Sequence, residues 1–351
     1  MKILYGVQAT GNGHITRARV MAPKLAQQGI KVDYLFSGRP ADKLFDMQPF
    51  GEYKVRQGLT FVVEQGQVRK LKTCLSNNLS RFYRDIRHLD LSDYDLIISD
   101  FEPVSAWAAR LQGKTSIGIA HQYAFEYDLP GPDIKYAMLP GTRLFAPVSQ
   151  AVGLHWHHFN APILPPLISP ASLRQRTEQD KILVYLPFEP LDRILSWLKP
   201  LKAYRFFVYC DTQSIQNLEH ITLCPFSRKH FPIDMQSSAG VIANSGFGLA
   251  SEVLQSGKKL LTKPLSGQPE QRSNAAILKH LKLADSFEQI TAKGFNQWLE
   301  KPAPDTQKYP DVADELSKWI AGNCQASVTS LSQTLWAEME AQADARLPAS
   351  I

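Results

Sequence analysis

Short apolar runs alternate almost throughout the chain with stretches whose apolar residues recur every three or four positions, the pattern of strands and helices in a parallel sheet. Buried strands are expected at Ile3–Val7, Val32–Phe36, Leu96–Ile98 and Thr115–Ala120, with helices around His14–Gln28, Gln67–His88 and Pro103–Gln112 between them. A second series has strands at Ile182–Leu186, Arg205–Tyr209, Gly240–Ala243 and Lys259–Thr262, and helices near Leu191–Leu198, Gly248–Ser256 and Gln268–Leu281. Between the two series, Pro162–Ile163–Leu164–Pro165–Pro166–Leu167–Ile168–Ser169–Pro170 resists both helix and central strand and reads as a stiff connector. The fold class is α/β. A first domain is expected over residues 1–165, a second over 166–325, and a C-terminal helix and tail over 326–351, where Gln325–Leu347 contains neither Pro nor Gly. Two cores are the default for 351 residues, because single cores stop growing near roughly 250–300. Two such α/β units facing each other would leave a cleft beyond the carboxyl ends of their strands.

Charge and cysteine usage narrow the class. The 39 Lys and Arg against 33 Asp and Glu leave a net charge of +6, well short of a nucleic-acid-binding tail, so no nucleic-acid partner is expected. Neither a signal-peptide-like start nor an 18-residue apolar run is visible, which points to a cytoplasmic protein, at most peripheral on the inner face of a membrane. Cys74, Cys210, Cys224 and Cys324 are widely spaced and suggest neither a disulfide framework nor a zinc site. His155–Trp156–His157–His158 has no acidic or cysteine ligand near it in sequence, and is not read as a metal site.

The candidate chemistry sits on two glycine loops. Gly11, Asn12, Gly13 and His14 follow the first strand and open a helix, where free N–H groups and the helix dipole favour an anion. A dinucleotide fingerprint would need a third glycine where Thr16 stands and an acid after the second strand, where Tyr34–Leu35–Phe36–Ser37–Gly38 is found, so no NAD cofactor is expected. His14 at the mouth of a cleft is a candidate general base. In the second domain, Asn244–Ser245–Gly246–Phe247–Gly248–Leu249–Ala250–Ser251–Glu252 repeats the arrangement, and Glu252 falls one and a half turns along, where a carboxylate can accept from the two hydroxyls of a ribose. Gln268, Glu270, Gln271 and Asn274 then exceed what one helix cap requires, and amides beside a carboxylate suit sugar hydroxyls.

These motifs, together with Asp100–Phe101–Glu102–Pro103, resemble the two-domain nucleotide-sugar glycosyltransferases of GT-B fold, specifically the family-28-like group that includes the lipid II N-acetylglucosaminyltransferase and a less characterised microbial set. The resemblance covers both domains and implies two facing Rossmann-like units. It implies that the donor diphosphate lies near Gly246, Phe247 and Gly248, the ribose on Glu252, and the donor sugar near Glu270 and Gln271. Phe226 and Arg228, in the loop ahead of the second glycine motif, are base- and phosphate-side candidates, and His14 is the base on the acceptor side. Many relatives carry His-Gly-Gly where this chain has Asn244–Ser245–Gly246.

The expectation is an inverting, metal-independent transferase that moves a sugar from a UDP-sugar to a hydroxyl acceptor, lipid-linked or part of a cell-envelope glycan. A non-hydrolysing nucleotide-sugar epimerase would share the fold but needs several acids and bases around the sugar, for which Glu102 and His121 are the further candidates. A nucleotide-sugar sensor would have the donor site without the acceptor site. The basic amphipathic stretch Val68–Arg87 reads as a packed helix with a solvated face or as a contact for anionic lipid.

Overall fold

The computed structural model describes residues 1–60, 63–64, 67–68, 73, 76–130, 141–169 and 175–344. In the first half, β1 (Lys2–Gln8), α1 (Asn12–Gln27), β2 (Lys31–Ser37) and β3 (Tyr53–Arg56) are followed by a small hairpin, β4 (Val63–Glu64) and β5 (Gln67–Val68). Helix α2 (Leu79–Arg87), β6 (Leu96–Asp100), α3 (Pro103–Leu111), β7 (Ser116–Ala120) and β8 (Gln150–Gly153) complete it. The first sheet has the order β3-β2-β1-β6-β7-β8, every pairing parallel.

The second half runs β9 (Glu178–Tyr185), α4 (Leu191–Leu198), β10 (Arg205–Cys210), β11 (Gln216–Leu218), β12 (Ile221–Pro225), α5 (His230–Ser237), β13 (Ser238–Asn244) and α6 (Phe247–Gln255). It continues through β14 (Lys259–Lys263), α7 (Pro269–His280), β15 (Asp285–Ser286), α8 (Ala292–Glu300), α9 (Val312–Ala321) and α10 (Val328–Asp344). Its sheet has the order β11-β12-β10-β9-β13-β14-β15, with only the edge strand β11 antiparallel. Setting aside the hairpin and β11, both sheets follow the doubly wound Rossmann order, so in each the strand order reverses beside the first strand: at β1/β6 and at β9/β13. The central strands are buried on both faces, which is why they read as unbroken apolar runs; Ile3, Leu4, Tyr5 and Val7 are all fully buried.

Gly153 and Gly118 let the edge of the first sheet close. A Cβ at Gly153 would stand 2.7 Å from the backbone of Ala124, which cannot swing aside as a side chain can. Gly153→Ala is expected to lower stability by about 1–2 kcal/mol, read as a fall in the urea midpoint at unchanged m.

One sequence expectation changes. The helix expected over Gln67–His88 is interrupted: Gln67–Val68 pairs with Val63–Glu64, Thr73 and Ser76 are helical, and after Asn77–Asn78 α2 starts at Leu79, where the Asn78 side chain accepts from Arg81 N–H. Parts of the Val68–Arg87 stretch lie outside the described residues. The proline connector, with neither helix nor ladder strand, packs into the protein: Ile163 to Ile168 are buried and Leu164 bridges to Leu154. The Ile163 carbonyl accepts from Ser332 Oγ at 2.8 Å and from Trp336 Nε1 at 2.7 Å, so α10 lies over the connector. Helix α9, grouped from sequence with the second domain, packs on α1, where Lys24 pairs with Asp311 at 2.7 Å and Asp314 at 3.3 Å.

Candidate active site

In open α/β sheets ligands bind beyond the strand ends where the order reverses. Here the two reversal points face each other. The first offers the loop after β1 and the end of β6; the second offers the loops after β9 and β13. A Cβ built on Gly248 would lie 3.9 Å from Gly13 Cα, so the two glycine loops approach each other to van der Waals distance. Helices α1, α6 and α7 open on this cleft from Gly11, Gly246 and Gln268, none of which supplies a side-chain cap. By contrast, α2, α3, α8 and α9 are capped by Asn78, Glu102, Thr291 and Asp311. The first-turn N–H groups at the cleft are left for a ligand, and the three helix dipoles point positive ends toward it.

His14 lies in the first turn of α1 and Arg17 three residues later, on the same side of the helix. Strand β6 pairs with β1 so that Asp100 stands beside Val7, which delivers its carboxylate to both. His14 Nδ1 is 2.7 Å from Asp100 Oδ1, and Arg17 Nε donates to Asp100 Oδ2 at 2.8 Å while its Nη2 bonds Oδ1. Asp100 is fully buried and Arg17 nearly so. Burial works to raise the Asp100 carboxyl, but Arg17 and His14 overcome it and hold the group below the ordinary carboxylate range, so Asp100 is an anion. His14 keeps partial exposure, with 15% of its side chain accessible at the cleft. A histidine oriented by a buried carboxylate is the arrangement of a general base.

Glu102 and His121 are engaged otherwise. Glu102 is fully buried; its oxygens accept from Val104 N at 2.8 Å, Ser105 N at 2.6 Å and Ser37 Oγ at 2.6 Å. It caps α3, and burial raises its carboxyl despite those bonds. His121 has an acceptor oxygen at each ring nitrogen, the Leu154 carbonyl and Asn274 Oδ1 at 2.7 Å, so its single neutral N–H donates to one of them, and its ring stacks on Phe247 with centroids 4.1 Å apart. Burial lowers its pKa. This stack, with Trp156 Nε1 donating to Ser251 Oγ at 2.8 Å, joins the two domains.

In the second domain, Phe247 is buried against His121, leaving the Gly246–Gly248 backbone at the start of α6 as the part that faces the loop of Gly13. The Glu252 carboxylate makes no hydrogen bond or ion pair among the described residues; burial pushes its carboxyl up to about 7. Gln271 Oε1 accepts from Leu265 N–H at 2.9 Å and Asn274 bridges His121 and the Ser245 carbonyl, so both hold the cleft together. Glu270 receives Gln122 Nε2 at 3.1 Å, and Gln268 Oε1 is buried with no partner among the described residues. Phe226, just past β12, is 49% exposed with its ring edge-on to Tyr185, while Arg228 faces Asp46 across the cleft at 3.8 Å. Asn12 accepts from Arg39 at 2.9 Å.

Sequence reasoning did not assign Asp100 and Arg17 to the site. Arg17 was within reach, since a position three after a candidate histidine on a helix shares its face.

Facing Rossmann-like domains with opposed glycine loops and a carboxylate-held histidine between them define a GT-B glycosyltransferase. The chain belongs to glycosyl transferase family 1, whose family model matches residues 1–301. Among solved structures, LpCGTa in complex with UDP superposes with a TM-score of 0.60 at 13% identity, covering 97% of this chain and 98% of that one. VinC in complex with dTDP gives 0.55 at 13%, covering 97% and 100%. MurG of Acinetobacter baumannii gives 0.52 at 15%, covering 92% and 99%. No curated protein matches the sequence significantly.

Proposed function

We propose that this glycosyltransferase moves a sugar from a nucleoside diphosphate donor, a UDP-sugar, to an acceptor hydroxyl with inversion and without a metal. The observation that carries the reading is the His14–Asp100 pair facing the Gly246–Gly248 loop across the cleft. His14 Nε2 takes the proton of the acceptor hydroxyl as its oxygen bonds the anomeric carbon. The bond from that carbon to the diphosphate breaks on the opposite face, and the departing charge is received by the open N–H groups of α6 and by its dipole. Glu252 holds the ribose, Phe226 offers a ring to the base, Arg228 a charge near the phosphates, and Glu270 with Gln268 and Gln271 lines the sugar side. Solved relatives of this fold hold UDP or dTDP, which supports a nucleotide donor.

An epimerase would need further acids and bases at the sugar. Glu102 is spent as a helix cap and His121 is held between two acceptor oxygens, which argues against that alternative. A sensor would have no use for a buried carboxylate behind its histidine. Incubation with a panel of UDP-sugars, followed by mass spectrometry, tests the reading: transfer or slow donor hydrolysis supports it, while epimerised donor or binding alone overturns it.

The acceptor is proposed to be lipid-linked or a cell-envelope glycan, with the enzyme peripheral on an anionic membrane face. On α2, Leu79 is 67% and Tyr83 60% exposed, beside the exposed Arg81, Arg84 and Arg87. Apolar side chains left in water among arginines suit a headgroup region. No helix among the described residues is long and apolar enough to cross a membrane. The protein is expected to sediment with phosphatidylglycerol vesicles at low salt and to be released at about 0.5 M salt, where screening shortens to a few ångströms. Failure to pellet at low salt would assign α2 to a solvated face.

A further inference from the structure

We infer that Arg17 is a positioning residue that decides which nitrogen of His14 carries the proton. The inference rests on the general-base reading of His14. His14 Nδ1 has two neighbours at hydrogen-bond distance: Asp100 Oδ1 at 2.7 Å and Arg17 Nη2 at 2.8 Å. Nδ1 cannot serve both. If it carries the proton it donates to Asp100, and Nε2 keeps the lone pair that a base requires. If instead it accepts from Arg17, the proton must sit on Nε2, and the histidine is disarmed.

The geometry around Asp100 selects the first state. Arg17 grips the carboxylate side-on, Nε on Oδ2 and Nη2 on Oδ1, the bidentate fork that guanidinium and carboxylate form best. A guanidinium already committed to an anion gains little from a neutral imidazole lone pair, whereas Oδ1 has capacity to accept from Nδ1 as well. With both oxygens held, the carboxylate cannot rotate, and Oδ1 stays aimed at Nδ1. The chain places these groups without long side-chain searches: His14 and Arg17 are three apart on α1, and Asp100 ends the strand next to β1. Among the described residues, the other titratable groups that act on the cluster are Tyr5 from β1, Glu270 from α7, and His121 and Tyr123 after β7. Glu270 adds to the charge that keeps Arg17 protonated, so the domain bearing the donor site also steadies the fork.

The test is nitrogen-15 NMR of histidine-labelled protein at about pH 8, where an ordinary imidazole is neutral, with the His14 signal assigned from a His14→Gln sample. The wild-type ring is expected as the Nδ1–H tautomer. In Arg17→Met the buried Asp100 loses the charge that keeps it ionised; once protonated it donates to Nδ1, so the Nε2–H form should appear, while Arg17→Lys, which keeps the charge but not the fork, should fall between. With a UDP-sugar that the enzyme turns over, Arg17→Met should lose about tenfold in kcat with KM for the donor within about twofold, the split expected when only the reacting geometry is disturbed. A wild-type ring found as Nε2–H overturns the inference without any variant, as does an Arg17→Met ring that stays Nδ1–H. The tautomer is read in the absence of substrate, so a chain that bound no UDP would sink the glycosyl-transfer reading while the spectrum still decided the role of Arg17.

Discussion

His14→Ala is expected to lose at least about a hundredfold in turnover, at the lower end of what a general base supplies, while UDP affinity stays within about twofold of wild type. The asymmetry follows from the two sides of the cleft: the proposed proton acceptor lies on the first domain, the groups proposed to hold the nucleotide mostly on the second. Asp100→Asn should fall by a similar factor, because an amide presents its NH2 as readily as its oxygen to Nδ1, and the Arg17 fork loses its anion. Released UDP measures the first quantity and calorimetry with UDP the second. Normal turnover by a folded His14→Ala protein would remove His14 from the chemistry. Since Glu102 is buried as the cap of α3, and His121 is held between two acceptor oxygens, the base would then have to come from the acceptor or from Glu270.

The architecture was readable because strands buried on both faces write continuous apolar runs, and the loops that follow them at the reversal points carry glycine. What escaped reading came from contacts that sequence spacing does not encode. Asp100 meets His14 from 86 positions away, through the pairing of β1 with β6, and neither strand's pattern names its neighbour. Glu102 drew attention as an acid near the site, yet an acid directly before Pro103 is also the signature of a helix cap, and that is its place. Gln271 and Asn274 were read for their hydrogen-bonding capacity, which is real; burial directs the Gln271 oxygen to the backbone and Asn274 to His121. The helical spacing through Val68–Arg87 ignored Asn77 and Asn78, where the Asn78 cap starts a new helix. In the proline connector the apolar residues between the prolines were the stronger signal, since Ile163, Leu164 and Leu167 belong to the core under α10.

Glu252 sets the second large effect, because its carboxyl is raised to about 7 by burial and has no partner among the described residues to compensate the charge. Vicinal ribose hydroxyls would donate to it as an anion, through charge-assisted bonds of about 1.5–3 kcal/mol each. Glu252→Gln at about pH 8 is therefore expected to weaken UDP binding by about 10- to 100-fold. The sign with pH follows from the direction of the shift. Below about pH 6 most of the wild-type carboxyl is already protonated, so wild-type affinity should fall about tenfold between pH 8 and pH 6, while the glutamine variant changes only as UDP itself does. The second ionisation of a phosphate group, near pH 6, is common to both proteins and cancels in their ratio. Stability should move the other way. An acid raised in the folded state costs nothing below its unfolded value, and its penalty grows as pH rises toward about 7 and is then fully present. Unliganded Glu252→Gln should consequently melt above wild type at about pH 8 and level with it near pH 4.5, close to the ordinary glutamate value. A variant that binds UDP as wild type does at both pH values would take Glu252 out of the nucleotide site, and with it the placement of the ribose on α6.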